Sequence, residues 1–155
     1  MKYNFDYLEN DYKTPPVLYN KALKRFQRKW FNLDACCTDL NIPSNFYAKK
    51  DGLYALNMKI RDEDGLKTDW LNYTWCNPPF NECRKWIEKA YNENLKGRKI
   101  AMLLPVRTET KYWHEFILHN PNVTIEWLRK GYKFLDKDNK EMGVFKNALA
   151  LVYFE

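Results

Sequence analysis

Ile100-Ala101-Met102-Leu103-Leu104 is an apolar run with no polar break, closed by Pro105. Side chains of a strand alternate between its two faces, so a run of this kind must be covered on both sides. Strands of that type sit inside parallel sheets that carry helices on both faces. The residues that follow, Arg107, Thr108, Thr110 and Lys111, then form a loop beyond the strand's carboxyl end, the side on which open α/β sheets bind ligands.

The rest of the chain supplies elements for such a sheet. Residues 1–12 mix Tyr, Phe, Asp and Asn without a clear period. Thr14 followed by Pro15 predicts a helix start, with Thr as N-cap and Pro at the first helical position. Leu18, Ala22, Leu23, Phe26 and Trp30 continue it at helical spacing, and Lys21, Lys24, Arg25, Arg28 and Lys29 supply a basic face. A solvated surface is the plain reading of that face, with phosphate contact as the alternative. Residues 30–37 read as a buried strand that ends in Asp34 and the small residues Ala35, Cys36 and Cys37, where a ligand could approach the backbone. No G-x-G-x-x-G accompanies it.

Residues 39–70 hold breakers at Asn41, Pro43, Ser44 and Asn45, a strand expected around 54–58, and the acidic run Asp62-Glu63-Asp64. Residues 71–76 are predicted as a strand. A helix from Asn81 to Leu95 follows, with Cys83, Ile87, Ala90, Tyr91 and Leu95 on one face, and Gly97 stops it. Beyond the apolar run come a helix at 112–118, strands at 123–127 and 148–154, and a polar tip at 136–140. The close of the chain predicts a hairpin-like pair and an antiparallel last strand. The segment between Asp34 and Asn77 is too short for three crossovers of about 30 residues each, so the sheet is expected to be trimmed. The expectation is one α/β domain over residues 1–155, three layers deep, with a mostly parallel sheet.

Between the strand at 71–76 and the helix after it lies Trp75-Cys76-Asn77-Pro78-Pro79-Phe80. Each proline fixes its own φ near about −65°, lacks an N–H, and biases its predecessor away from helix. The loop is therefore rigid and poor in donors. Asn77 Oδ1 and the Pro78 carbonyl can both accept from an N–H2 group, and Phe80 offers a flat face. A planar heterocycle with an exocyclic amine matches these groups. A plain turn is the alternative for the two prolines.

Composition narrows the partners. With 26 Lys+Arg against 20 Asp+Glu, a polyanion such as nucleic acid is favoured. Nothing resembles a signal peptide, and no apolar run approaches the roughly 18 residues of a membrane span, so a cytoplasmic protein without a membrane partner is expected. The four cysteines, Cys36, Cys37, Cys76 and Cys83, lack the paired C-x2-C spacing of zinc sites, and no metal is expected. Aromatic residues make up 17% of the chain, enough for a core built of large rings.

Taken in order, Tyr12-Lys13-Thr14-Pro15, Phe31-Asn32-Leu33-Asp34, Asp64-Gly65-Leu66 with Asp69-Trp70, Asn77-Pro78-Pro79-Phe80 with Trp86 and Ala90, Leu104-Pro105-Val106-Arg107-Thr108-Glu109-Thr110 before Trp113-His114, and Gly131 to Phe134 carry a resemblance. The chain resembles the S-adenosylmethionine-dependent DNA N6-adenine methyltransferases, most closely the small phage-encoded Dam-like family. The resemblance implies a reduced Rossmann-like methyltransferase fold acting on DNA in a bacterial host cell, with a flipped adenine as acceptor. It implies that Asn77, Pro78, Pro79 and Phe80 carry the chemistry. It places the cofactor near Tyr12, Thr14, Pro15, Asp34, Ala35, Cys36, Asp64, Asp69 and Asn77. Arg107, Thr108, Thr110, Lys111, Lys130 and Lys133 become the expected nucleic-acid contacts. Base reading would come from loops at 107–112 or 129–147, or from a second subunit in a homodimer.

Asp34-Ala35-Cys36-Cys37 departs from the glycine-rich turn of the wider methyltransferase pattern. The plain readings are a strand-end cap for Asp34, a solvated loop for Asp64 and Asp69, and a surface ion pair for Arg107. Two other functions share the loop chemistry or the scaffold. One is methylation of another planar nitrogen, an RNA base or a protein amide; the other is an inactive nucleic-acid-binding or anti-restriction protein.

Overall fold

A computed structural model describes residues 12–38 and 40–155. The irregular stretch at 1–11 lies outside the described residues. Eight strands form the main sheet: β1 (Phe31–Asp34), β2 (Ser44–Lys49), β3 (Gly52–Ala55), β4 (Met58–Arg61), β5 (Thr74–Cys76), β6 (Ile100–Pro105), β7 (Val123–Trp127) and, last in the chain, β10 (Leu149–Phe154). Their order is β4-β3-β2-β1-β5-β6-β10-β7. β8 (Lys133–Leu135) and β9 (Glu141–Val144) make a separate hairpin.

β2, β1, β5 and β6 pair in parallel. β10 runs antiparallel to both β6 and β7, with Leu151 opposite Leu103 and Glu126. β3 is antiparallel to both β2 and β4, so β3 and β10 are the two strands that oppose the other six. The sheet is mostly parallel in direction and mixed at its edges.

The apolar run at 100–104 is covered on both sides because the chain places helices on both. Ala101 and Leu103 of β6 pack with Leu18, Ala22, Leu23 and Phe26 of α1 (Pro16–Phe26), together with Phe31, Trp75, Leu151 and Tyr153. Ile100, Met102 and Leu104 point the other way. They pack with Cys83, Trp86, Ile87 and Ala90 of α2 (Cys83–Leu95), and with Phe116 and Ile117 beyond α3 (Lys111–Trp113). β10 repeats the alternation, Ala150, Val152 and Phe154 on one face and Leu149, Leu151 and Tyr153 on the other. At roughly 1.5–3 kcal/mol for each large side chain buried, these two strands account for much of the drive to fold.

Several local expectations change, each for an identifiable reason. Pro16, not Pro15, takes the first helical position of α1; Pro15 is the extended cap residue and Thr14 makes no capping bond. The strand expected at 54–58 is split by a turn, since Leu56 adopts a left-handed φ of 54° and separates β3 from β4. The strand expected at 71–76 shrinks to β5 because Tyr73 has φ 59°, which no strand accommodates. The Asn72 side chain holds that break by accepting the Lys99 N–H at 2.9 Å. α2 begins with a single 3-10 turn, Phe80–Glu82, and Leu95 is exposed while Trp86 and Glu93 are buried. The helix at 112–118 starts as α3 and widens into a π turn over His114–Leu118.

Much of the basic face of α1 is tied to the fold. Lys21 Nζ pairs with Glu126 at 2.8 Å, Arg25 forks onto the Glu155 carboxylate, and the Arg28 guanidinium lies 4.8 Å from the Tyr73 ring centre. No helix among the described residues is long and apolar enough to cross a membrane.

Candidate active site

The carboxyl ends of β1, β2, β5 and β6 point the same way, and a cavity of about 1290 Å³ opens above them. That exceeds the roughly 300–1,000 Å³ usual for one small ligand, leaving room for two side by side.

Asp34 ends β1 and is 3% exposed. Burial raises its carboxyl pKa to about 7, against the opposing pull of the Cys36 backbone N–H at 3.4 Å and a side-chain hydrogen bond from Cys37. Such a carboxyl is poorly satisfied as an anion until a cation comes beside it. The turn after it needs no glycine: among the described residues none of Ala35, Cys36 and Cys37 has a positive φ. The Ala35 N–H donates to Trp75 O and the Cys37 N–H to Ala48 O, so both neighbouring strands hold the turn in place.

The glycine that matters comes from another segment. Gly65 lies over the end of β1, and a Cβ there would sit 1.7 Å from the Ala35 carbonyl oxygen and 3.0 Å from the Trp86 ring. That close approach sets Asp64 at the cavity wall. Asp64 Oδ1 accepts the N–H groups of Leu66 at 3.0 Å and Lys67 at 3.1 Å, leaving its second oxygen for a ligand.

β5 ends in Cys76 and delivers Asn77 to the same cavity. Asn77 Nδ2 donates to Thr14 Oγ1 at 3.0 Å, a contact between residues far apart in sequence that fixes the amide's orientation. The Pro79 carbonyl accepts the Glu82 N–H at 2.9 Å, whereas among the described residues Asn77 Oδ1 and the Pro78 carbonyl oxygen accept no hydrogen bond. The two acceptors that the loop's composition offers are both unused. Phe80 meets Phe134 and Phe145 at 75° and 74°, with centroids 6.4 and 5.6 Å apart, and these two rings come from the β8–β9 hairpin and the segment just after it.

Tyr12, Thr14, Asp34, Cys36, Asp64 and the whole Asn77-Pro78-Pro79-Phe80 loop therefore share one cavity, joined by Arg107 and Lys130. Other expected contacts are placed elsewhere. Pro15 and Ala35 are buried beside the cavity without lining it. Asp69 is on the surface, where it pairs with Lys96 at 3.2 Å. Thr108, Thr110 and Lys111 do not line the cavity; Thr110 Oγ1 closes a turn onto Arg107 O, and Lys111 opens α3. Lys133 pairs with Glu141 across its own hairpin. Sequence reasoning missed Lys49, Lys50 and Glu82 as lining residues, and it marked Phe145, Lys146 and Asn147 only as part of the loop at 129–147.

Burial holds the thiols of Cys36, Cys76 and Cys83 in the protonated form, Cys83 at about 12. Nucleophilic thiolate chemistry has no candidate among these three. Among the described residues no cluster of His, Cys, Asp or Glu could hold a metal ion.

A family model described as DNA N-6-adenine-methyltransferase (Dam) matches residues 5–154. The chain belongs to the Dam family. It is an enzyme that methylates the N6 nitrogen of adenine in DNA, with S-adenosylmethionine as methyl donor. Comparison with curated proteins and with solved structures returns no match for this chain. The residues present suit that donor in charge: it is a cation, and a cation beside the buried Asp34 carboxyl would favour its ionised form.

Two outcomes are expected for the protein without ligands. Asp34 binds a proton in the folded state between its unfolded value near 3.8 and its folded value near 7, so the wild type loses stability as pH rises through that window. Chemical denaturation should show Asp34→Asn gaining on the wild type from pH 4 to pH 8; a constant difference would contradict a buried titrating carboxyl. Gly65→Ala should cost about 1–3 kcal/mol of stability and weaken cofactor binding, since its Cβ cannot fit against the Ala35 carbonyl. Isothermal titration of the variant with S-adenosylmethionine checks the second part.

Proposed function

We propose that this Dam-family enzyme takes its target adenine out of the duplex into the cavity and holds it on the Asn77-Pro78-Pro79-Phe80 loop. The observation that carries this reading is the pair of unused acceptors, Asn77 Oδ1 and Pro78 O, with the Asn77 amide held by Thr14. The layering that frames the site, α1 on one face of the sheet and α2 on the other, supports a single three-layer Rossmann-like domain, whose sheet of eight strands is not trimmed as its sequence suggests.

The exocyclic amine of adenine is a poor nucleophile because its lone pair is delocalised into the ring. Accepting both of its N–H bonds, at Asn77 Oδ1 and Pro78 O, favours a tetrahedral nitrogen whose lone pair points away from the two acceptors. The loop thus acts by positioning and electrostatics, with no covalent intermediate on the protein. S-adenosylmethionine, when bound, supplies an electrophilic methyl group on a positively charged sulfur. Asp34, Asp64 and Thr14 would line its place, Asp34 as the counter-charge. Neither His114 nor His119 lines the cavity, so the proton lost from nitrogen passes to solvent directly or by way of a wall carboxylate such as Glu82 or Asp64.

Extruding a base costs a few kcal/mol, and stacking on Phe80 returns about 1–3 kcal/mol of it. The Phe134 and Phe145 rings keep Phe80 from turning away. Arg107 and Lys130, both on the cavity wall, would take the phosphates beside the extruded nucleotide.

The deciding assay incubates the protein with unmethylated DNA and labelled S-adenosylmethionine and analyses the nucleosides: N6-methyladenine is expected, and label in any other nucleoside sinks the proposal. Asn77→Ala should retain the fold and lower kcat by two orders of magnitude or more, comparable with loss of a preorganised polar group elsewhere. Thr14→Val should lower kcat less, by about ten-fold, with Thr14→Ser near wild type. Equal kcat for Thr14→Val and wild type would remove Thr14 as the residue that positions Asn77.

A further inference from the structure

A second, smaller pocket of about 200 Å³ adjoins the catalytic cavity, between the 128–132 segment and the 145–149 segment. The two share Lys130, Phe145, Lys146 and Asn147 as lining residues, so the Phe145 ring stands at the boundary between them. Backbone bonds fix the walls: the Leu128 N–H donates to Leu149 O at 3.1 Å and the Phe145 N–H to Tyr132 O at 3.0 Å.

The chemistry of the lining is that of a nucleotide site. Arg129, Lys130 and Lys146 converge on it, all three exposed, and among the described residues none has an acidic partner. Tyr132 and Phe145 supply aromatic surface. Asn147 brings a side-chain amide that makes no hydrogen bond among the described residues, and such an amide can read the edge of a base. Cations for phosphate, rings for a base face and an amide for a base edge are thus gathered around a space that suits one base and little more.

We propose that this pocket binds the nucleotide next to the target adenine on the same strand, and that Asn147 reads its base. The inference rests on the adenine reading of the larger cavity, since a single ring, Phe145, would then separate two consecutive bases. Phosphate neutralisation falls to Arg129, Lys130 and Lys146, and base preference to Asn147. The sequence-specific step of this small enzyme therefore lies at the base of the hairpin, not at its Lys137–Lys140 tip.

The test measures equilibrium binding of short labelled oligonucleotides that carry the target adenine, either intact or with an abasic site immediately 5′ or 3′ to it. Wild type should bind one of the two abasic forms at least five-fold more weakly than the intact strand, as loss of a stacked base implies. Varying the base at that same position should give a preference that Asn147→Ala flattens. Lys146→Ala should weaken all sequences alike and lower the salt slope by about one. Both replaced side chains are exposed, so folding is not at issue. Equal binding of intact and both abasic strands, or an unchanged preference in Asn147→Ala, overturns the pocket. The reading of the larger cavity is judged separately, by whether N6-methyladenine forms in the intact strands.

Discussion

Everything in this enzyme depends on covering β6 and β10 from both sides. A strand that is apolar on both faces has no solvent side, so α1 and α2 must lie on opposite faces of the sheet. Once both faces are occupied, only the ends of the strands remain for chemistry. The carboxyl ends of β1, β2, β5 and β6 open on one side, and the residues that end β1 and follow β5 project into a common space. The cavity is a consequence of the layering, and the polar residues in it sit where the apolar core ends and a ligand can reach them.

The core strands were legible in sequence because their signal is one-dimensional: unbroken apolar runs at 100–104 and 148–154 need no distant information. The Asn77-Pro78-Pro79-Phe80 loop was legible for a related reason, since proline restricts the backbone wherever it stands. What escaped was set by long-range contact or by local backbone that composition does not reveal. Thr14 looked like a helix cap, but a second proline moved the helix start, and its hydroxyl serves Asn77 across 63 positions of sequence. Tyr73 and Leu56 adopt left-handed conformations that a strand pattern gives no hint of. Asp69 looked like Asp64 in sequence; the turn at Gly65 sends one to the cavity and the other to a lysine on the surface.

The glycine-poor turn after β1 illustrates how a family pattern can be satisfied by other means. Glycines are needed where φ is positive or where backbone must come close to something else. Here the turn has ordinary φ values, and close approach is provided by Gly65, whose backbone lies against the Ala35 carbonyl from another segment. Gly65 stands thirty positions beyond Ala35 in the chain and meets it in space. The turn therefore folds without glycines of its own.

The electrostatics divide the cavity into regions with different tasks. Near the sheet, Asp34 is held in surroundings where a carboxylate is unfavourable alone, and the entry of a cationic ligand relieves that cost. Toward the hairpin the sign reverses, with Arg107, Lys130 and Lys146 around rings contributed by Phe80, Phe134 and Phe145. In the proposed reading the positively charged donor lies near Asp34 and the polyanionic acceptor toward the hairpin. Asn77 has one end of its amide tied to Thr14 and the other, among the described residues, without a partner. In that reading Asn77 serves both ligands, and Thr14 orients its amide before either arrives, so that the free energy of aligning it does not have to come from binding DNA.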